Sequence, residues 1–273
     1  MRILLSGIIG AIFLLSCKPT PGVCPVRICG STTLYPIMTA ALASLSRANR
    51  EAVELSATGS VGGYRSLLDG ACDICDSSYR LAPQEIDALA KKGIRVREIA
   101  IGYDLVIPIV HPSNPLGEIA PDALRGIFAG TVASWKELRG PDLPIKPVCR
   151  DEGSGTGAVW SKRFMRDGPC ASGSLRARSN SESLSTVAHE PWAIGYISRA
   201  FLNPEVKELR IAGHPTDPTA MKRHPGFRTL YLYVNEKNEC PAGRALLVYL
   251  MSAGGKELLR NHRFTPATDG GMR

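Results

Sequence analysis

The residues best suited to chemistry lie in three short turns that are rich in glycine, serine and threonine. In chain order the turns are Gly30-Ser31-Thr32-Thr33, Thr58-Gly59-Ser60-Val61-Gly62-Gly63 and Gly153-Ser154-Gly155-Thr156. Each turn follows a strand-like run and precedes a segment that can become a helix. Such a turn leaves backbone N–H groups without partners and directs the positive end of the helix dipole toward one point. Serine and threonine hydroxyls add donors, so the three turns predict a site for a desolvated oxyanion.

Arg150 lies four residues before Ser154 and supports the same prediction. Its planar guanidinium matches a tetrahedral oxyanion and stays charged at any relevant pH. Simpler interpretations remain open at this stage. Ser31 and Ser154 could each do no more than cap a helix. Arg150 could form only a surface ion pair with Asp151 or Glu152.

The same turns lack the signatures of common catalytic loops. A P-loop ends on Gly-Lys-Ser/Thr, whereas Gly157 is followed by Ala158-Val159. No turn carries Gly-x-Gly-x-x-Gly with an acid about twenty residues later, and Glu152-Gly153-Ser154-Gly155 does not match the hydrolase motif Gly-x-Ser-x-Gly. No recognisable triad context surrounds the histidines, His111, His189, His214, His224 and His262. The sequence therefore predicts a binding protein and not an enzyme, with no metal and no cofactor.

The elements that must position these turns form an α/β pattern. Helical spacing of apolar residues occurs at 35–48, 84–92, 121–129, 157–166, 182–190 and 242–261. Short apolar or alternating runs occur at 24–29, 52–58, 96–110, 145–149, 193–197, 207–211 and 228–234. The apolar stretch Ile99–Val110 is longer than one strand requires. It could run from one lobe into another, with Arg228–Val234 as the return crossing.

Composition and charge agree with a globular protein that binds an anion. The 273 residues suffice for about two domains, and 44% hydrophobic residues can fill a real core. The formal net charge of +8 suits an anionic small ligand or a negative membrane surface. The basic residues are scattered, without the clustering on one face that nucleic-acid binding requires. Nucleic acid is therefore not an expected partner.

The N-terminus predicts export and anchoring. The apolar run Ile3–Leu15 follows Met1-Arg2 and is too short for a permanent transmembrane helix, but it suits a signal peptide. It ends at Leu14-Leu15-Ser16-Cys17, which resembles the bacterial lipobox, although Cys17 could instead follow an ordinary signal. The prediction is a signal peptide over 1–17, lipidation at Cys17 and a tether over 18–23. The mature protein would then be extracytoplasmic and lipid-anchored to a bacterial membrane.

The other cysteines leave their pairing open. Seven remain, namely Cys24, Cys29, Cys72, Cys75, Cys149, Cys170 and Cys240. Because the number is odd in a compartment where disulfides form, at least one thiol is expected to be unpaired. Cys72-Asp-Ile-Cys75 has CxxC spacing without a second CxxC, so it does not predict a zinc site.

Taken in order, these motifs resemble the substrate-binding proteins of bacterial phosphate ABC transporters, the PstS-type family. The resemblance covers nearly the whole mature chain, and Arg150 with Gly153-Ser154-Gly155-Thr156 is its most specific part. The other matching segments are Gly30–Thr33, Gly59–Gly63, Asp73-Ile74 leading to Ser77-Ser78, Ala193–Tyr196, Arg228–Tyr231 and Phe264–Pro266.

The resemblance implies a two-lobed, periplasmic-binding-protein-like α/β fold of type II, which closes on an anion in the cleft. Lobe I would comprise 24–104 and 231–273, lobe II would comprise 105–230, and two crossing strands would form the hinge. The implied phosphate ligands are Ser31, Thr32, Thr33, Ser60, Ser78, Arg150, Ser154, Gly155 and Thr156. Glu152 would hold the Arg150 guanidinium in place.

One departure from the family concerns Ser78. Some members have an aspartate there, which accepts the proton of hydrogen phosphate and so rejects sulfate. Asp76 is near in sequence, but its spacing from Asp73 is too short to make it the clear equivalent. A serine accepts a hydrogen bond without carrying charge. Phosphate is therefore the expected ligand, with discrimination against sulfate left open.

Three functions follow from these expectations. The first is a receptor that captures inorganic phosphate, or a related tetrahedral oxyanion, and delivers it to the permease subunits of an ABC transporter. The second is a phosphate sensor or scavenger that is not coupled to transport. The third, an extracellular phosphatase-like enzyme, would require a metal cluster or an activated nucleophile, and the sequence contains neither in recognisable form.

Overall fold

The computed structural model describes residues 24–214 and 218–267, so the predicted signal peptide, Cys17 and the tether lie outside the described residues. Strands within this part of the chain are β1 (Val26–Gly30), β2 (Val53–Ser56), β3 (Ile74–Ser77), β4 (Val96–Val110), β5 (Glu118–Ile119), β6 (Lys146–Arg150), β7 (Leu175–Ala177), β8 (Ala193–Ser198), β9 (Lys207–Glu208), β10 (Arg210–Ile211), β11 (Phe227–Asn235) and β12 (Thr265–Pro266). The α-helices are α1 (Tyr35–Ala43), α2 (Arg47–Glu51), α3 (Ser60–Leu68), α4 (Pro83–Lys91), α5 (Pro121–Ala129), α6 (Gly155–Phe164), α7 (Asn180–His189), α8 (Pro241–Met251) and α9 (Ala253–Asn261). Short 3-10 helices in the described residues span Trp135–Leu138, Arg199–Phe201, Pro218–Arg223 and Glu236–Asn238.

The fold is the expected two-lobed α/β fold. Ten of the described strands form one mixed sheet in the order β2-β1-β3-β11-β4-β8-β6-β7, with β9 and β12 also paired to β4. The short strands β5 and β10 pair separately and in parallel. Parallel pairs occur at the two ends, β2-β1-β3 in one lobe and β8-β6-β7 in the other. The antiparallel pair of β4 and β11 lies between them. Parallel strands need long crossovers, which explains why helices alternate with the strands along the chain.

Alternation along each strand fills a core on both faces of the sheet. In the first lobe, Ile28 packs with α1 and α8 on one face, while Cys29 packs with α3 and α4 on the other. In the second lobe, the neighbouring residues Ile109 and Val110 likewise pack into two different buried clusters, one on each face of the sheet. A strand that is buried on both faces has a nearly continuous apolar sequence, as Ile99–Val110 does.

Strand β4 serves both lobes. It pairs with β11 from Val96 to Leu105 and with β8 from Val106 to Val110. Strand β11 returns antiparallel to it, and its register with β4 shifts between Leu230 and Tyr231. Two adjacent strands therefore carry the chain between the lobes.

Two predicted helices are interrupted in the structure. The segment 242–261 forms α8 and α9, which are separated at Ser252, because the backbone there is extended and the Ser252 hydroxyl accepts a hydrogen bond from Gly255 N. The segment 35–48 stops at Ala43, and Ser46 caps the new helix α2. Serine competes for backbone hydrogen bonds and so favours a helix start over a helix interior. None of the described helices is long and apolar enough to cross a membrane.

Two disulfides join parts of the chain that the sequence alone could not pair. Cys24 is bonded to Cys240 at the start of α8, and Cys149 on β6 is bonded to Cys170 after α6. Among the cysteines that the structure describes, Cys29, Cys72 and Cys75 are free and buried. The expectation of at least one unpaired thiol is thus confirmed.

Candidate anion-binding site

The three glycine-rich turns meet between the lobes. Val61 N at the start of α3 donates to Gly153 O at 3.1 Å. Thr33 Oγ1 lies 3.3 Å from Thr156 Oγ1, although the residues are 123 positions apart. The first turns of α1, α3 and α6 therefore lie close together, and the positive ends of their helix dipoles favour negative charge there.

Gly155 is required by this close approach. A Cβ atom built on Gly155 would lie 2.6 Å from Ser78 Oγ and would also overlap Ser60 Oγ. Both serines are fully buried. The backbone of α6 can therefore reach the serine hydroxyls only because residue 155 has no side chain. A Cβ atom on Gly59 would likewise overlap Gly153 O, and Gly59 has a φ of +79°.

Arg150 is buried and has only neutral partners. Its guanidinium donates to Ala177 O at 3.0 Å and Arg178 O at 2.9 Å, and to Asn180 Oδ1 and Thr32 Oγ1 at 3.3 Å each. Burial lowers the pKa of Arg150 from 12.5 to about 10. No carboxylate in the described part of the chain forms a salt bridge with it. A buried cation without a counter-ion creates a demand for an anion.

The structure corrects the role given to Glu152. Its side chain is exposed, and it makes no hydrogen bond or salt bridge to Arg150 within the described residues. Backbone carbonyls at the end of β7 and the Asn180 side chain accept the hydrogen bonds of the guanidinium instead. The turn after β6 directs Glu152 toward solvent, so proximity in sequence did not translate into contact.

A second buried arginine lies where the two long strands pass between the lobes. Arg228 on β11 is bonded through Nε and Nη2 to Asp104 Oδ2 on β4, at 2.9 and 2.6 Å. Its Nη1 donates to Thr156 Oγ1 at 2.9 Å and to Ser78 O at 3.4 Å, and its Nη2 donates to Thr33 Oγ1 at 3.4 Å. Arg228 thus contacts both lobes, while Asp104 balances its charge.

Asn180, the first residue of α7, connects Arg150 to the lobe I turn. Its Nδ2 donates to Thr33 Oγ1 at 2.9 Å, and its Oδ1 accepts from Ser198 N at 3.0 Å as well as from Arg150. Because Ser198 N can only donate, the orientation of the amide is determined. Arg150 N in turn donates to the Tyr196 hydroxyl at 2.9 Å.

The remaining predicted residues have structural partners that the sequence interpretation left open. Ser154 caps α6, since its Oγ accepts from Gly157 N at 3.0 Å. Ser31 Oγ accepts from Thr33 N, and Ser31 N donates to the Asp76 carboxylate at 3.1 Å. Burial raises the pKa of Asp76 to about 7, partly opposed by the Ser31 amide. The capping interpretation is therefore correct for Ser154, which still lies at the meeting point of the turns.

Sequence reasoning did not assign Asp104, Asn180 and Arg228 to the site. Asp104 is the one charged residue in the apolar run Ile99–Val110, and Arg228 begins the alternating run of β11. A charge inside an apolar strand is a signal that could have been used, because such a group must be paired. Asn180 carries no comparable signal. Elsewhere in 24–214 and 218–267, no three His, Cys, Asp or Glu side chains form a cluster that could hold a metal ion.

Comparison with known proteins identifies the family of this chain. A family model for the PBP superfamily domain matches residues 18–254. The chain is similar to the phosphate-binding protein PstS of Bacillus subtilis, at 28% identity over 253 residues, 89% of this chain and 81% of the relative. The PstS of Borreliella burgdorferi is 27% identical over 271 residues, 92% of this chain and 93% of the relative.

The fold is likewise similar to solved structures. An X-ray structure from Clostridium perfringens, of a phosphate ABC transporter substrate-binding protein with bound phosphate, has a TM-score of 0.80 and 25% identity and covers 89% of this chain and 100% of that chain. A phosphate transport receptor from Vibrio cholerae has a TM-score of 0.72 at 23% identity, covering 88% of this chain and 99% of that chain. With two lobes, a closed polar cleft and a family match over most of its length, the chain belongs to the PBP superfamily.

Proposed function

We propose that this protein captures inorganic phosphate in its inter-lobe cleft and delivers it to the permease of an ABC transporter. The observation that carries the proposal is Arg150, a buried guanidinium bonded only to neutral oxygens. Arg228 adds a second guanidinium, and Asp104 neutralises only one of the two. The cleft therefore holds an uncompensated positive charge next to three helix N-termini, which suits a small anion.

Burial favours a ligand without an organic substituent. Apart from the half-buried Thr32, the predicted cleft side chains are at most 4% exposed: Ser31, Thr33, Ser60, Ser78, Arg150, Ser154, Thr156 and Arg228. A phosphate ester would have to place its substituent among these side chains. Inorganic phosphate meets donors on all sides, and this fits the PstS-type relatives and the phosphate-bound neighbour.

The crossing strands are the proposed hinge. The pairing of β4 changes partner between Leu105 and Val106, and the register of β11 shifts between Leu230 and Tyr231. Both positions support lobe boundaries at 104/105 and 230/231, with lobe I formed by 24–104 and 231–273 and lobe II by 105–230. Opening about these strands would separate Thr33 from Thr156 and admit the anion.

Calorimetric titration of the mature chain, lacking residues 1–17, tests the ligand. Phosphate and arsenate are expected to bind with a dissociation constant on the order of 1 μM or tighter, because many preorganised donors surround a desolvated ion. Methyl phosphate is expected not to bind. Moderate salt should change the affinity little, since a buried site is poorly screened. Failure of phosphate to bind would overturn the proposal.

Location is part of the proposal. The lipobox-like run before Cys17 supports an extracytoplasmic protein held at a bacterial membrane by an acyl anchor. Cys17→Ser in the full chain should move the protein from the membrane fraction to the soluble extracytoplasmic fraction. Acyl attachment is measured by metabolic labelling, and labelling of the variant equal to that of the parent would contradict lipidation at Cys17.

A further inference from the structure

The hydroxyl groups of the cleft differ in whether the protein determines their direction. Thr33 Oγ1 accepts from Asn180 Nδ2 and Arg228 Nη2, and Thr156 Oγ1 accepts from Arg228 Nη1. Amide and guanidinium groups only donate, so they occupy lone pairs of both threonines. Thr33, with both lone pairs used, can only donate, so it is the donor in its contact with Thr156 Oγ1, and Thr156 is left to donate to a ligand. The threonine side of the cleft therefore has a fixed polarity.

Ser60 and Ser78 form a hydroxyl pair with no such constraint between them. Their Oγ atoms are 3.1 Å apart, and either can donate to the other. Ser78 N donates to Ser60 Oγ at 3.0 Å, which uses one lone pair of Ser60. Both side chains are buried, and Gly155 at the start of α6 lies directly against them. Within the described residues, Ser60 Oγ is the one hydrogen-bond partner of Ser78 Oγ.

Two arrangements of this pair are possible, and they differ in what a ligand meets. If Ser78 donates to Ser60, both lone pairs of Ser60 are used, its proton points to the ligand, and Ser78 Oγ is free to accept. If Ser60 donates to Ser78, the Ser78 proton points to the ligand. In either arrangement the pair supplies one donor to a ligand; the first leaves both lone pairs of Ser78 Oγ free, whereas the second leaves one on each serine. The hydroxyl directions can reverse without movement of heavy atoms.

We infer that the Ser60–Ser78 pair adapts to the protonation state of the bound oxyanion, so that the cleft accepts both monohydrogen dianions such as phosphate and arsenate and the fully ionised dianion sulfate. The inference rests on the proposed function. A ligand P–OH group would donate to Ser78 in the first arrangement, and an ionised oxygen would accept from Ser78 in the second. The Asp76 carboxylate accepts from Ser31 N through Oδ1.

The ratio of the phosphate and sulfate affinities of the parent chain is the primary test. Titration calorimetry on the mature chain is expected to give sulfate a dissociation constant less than about 1000-fold above that of phosphate. A site that holds a fixed acceptor for a ligand hydroxyl rejects the analogue lacking it by about 10⁴-fold or more. A sulfate dissociation constant more than about 1000-fold above that of phosphate would therefore overturn the inference. Absence of phosphate binding would instead overturn the proposed function.

Ser78→Ala should change the affinities for phosphate and sulfate by different factors. The variant removes the Ser78 oxygen that would accept from a ligand P–OH, so phosphate affinity should fall about tenfold. Ser60 still donates to sulfate, so the sulfate affinity should change less than about threefold. Equal losses for both ligands would contradict the inference. Ser183→Ala is the matched control, because Ser183 is also fully buried but donates to Tyr196 O in lobe II. It should leave the affinity ratio unchanged.

Ser78→Asp provides an independent variant should the alanine variant fold poorly. A carboxylate can accept the proton of hydrogen phosphate, but it repels a fully ionised ligand. The phosphate-to-sulfate affinity ratio should then rise at least about 100-fold above that of the parent chain. An unchanged ratio would show that residue 78 does not face the ligand proton, and the inference would fail.

Discussion

Arg150→Met is the most informative perturbation, because it should change the stability of the free protein little and the affinity for phosphate strongly. Methionine keeps an unbranched apolar side chain but removes the guanidinium. In the free protein, burial lowers the pKa of Arg150 from 12.5 to about 10. At about 1.4 kcal/mol per pKa unit, the buried charge costs the free fold about 3 kcal/mol. Removing the charge recovers this cost while four hydrogen bonds to neutral oxygens are lost.

These two effects oppose each other, so the free energy of unfolding without ligand should change by less than about 2 kcal/mol. With phosphate present the result should differ. A charge-assisted contact contributes about 1.5 to 3 kcal/mol, so the affinity should fall about 10- to 100-fold. Arg150→Lys should recover only part of the loss, since it keeps the charge without the planar fork.

Urea denaturation with and without phosphate, combined with titration calorimetry, measures both quantities. Arg80→Met is the matched control, because Arg80 is exposed and forms a salt bridge with Glu98 beside the cleft. It should leave phosphate affinity unchanged. If Arg150→Met binds phosphate as tightly as the parent chain, a buried arginine without a counter-ion is not the anion-binding group, and the central argument fails.

Further predictions concern the close approach, the buried ion pair and the buried acid. Gly155→Ala should weaken phosphate binding at least about tenfold in calorimetry, because a Cβ there overlaps Ser60 Oγ and holds the lobes apart. Asp104→Asn should lower the free energy of unfolding in urea by about 3 to 5 kcal/mol, because it leaves Arg228 buried without its charge partner. The pKa of Asp76 is raised from 3.8 to about 7, so its contribution to stability is full below pH 4 and lost as the pH rises through 7. Relative to Asp76→Asn, the parent chain should therefore lose up to about 4 kcal/mol of stability between pH 4 and pH 8.

Each of these predictions has a clear contrary outcome. Phosphate affinity of Gly155→Ala equal to that of the parent would mean that α6 does not approach the serines on binding. Normal stability of Asp104→Asn would mean that water solvates Arg228. Parallel pH profiles for the parent and Asp76→Asn would place the Asp76 pKa near its ordinary value.

The sequence by itself determined the local parts of this protein. Alternating and helical periodicity predicted an α/β fold, and the small-residue turns predicted where helices begin and where N–H groups are left for an anion. The segment from Arg150 to Thr156 predicted the binding of an oxyanion. These features depend on neighbours within a few residues, whose geometry the backbone restricts strongly.

Only the tertiary structure decided which side chains meet. Arg228 is bonded to Asp104 across 124 positions, and Asn180 reaches Thr33 across 147. Conversely, Glu152 lies two residues from Arg150 and makes no contact with its guanidinium. Contacts of this kind depend on the order of strands in the sheet, their register and the closure of the lobes. A shift of one residue in register would turn Arg228 to the opposite face of β11, and periodicity within one strand carries no information about its partner.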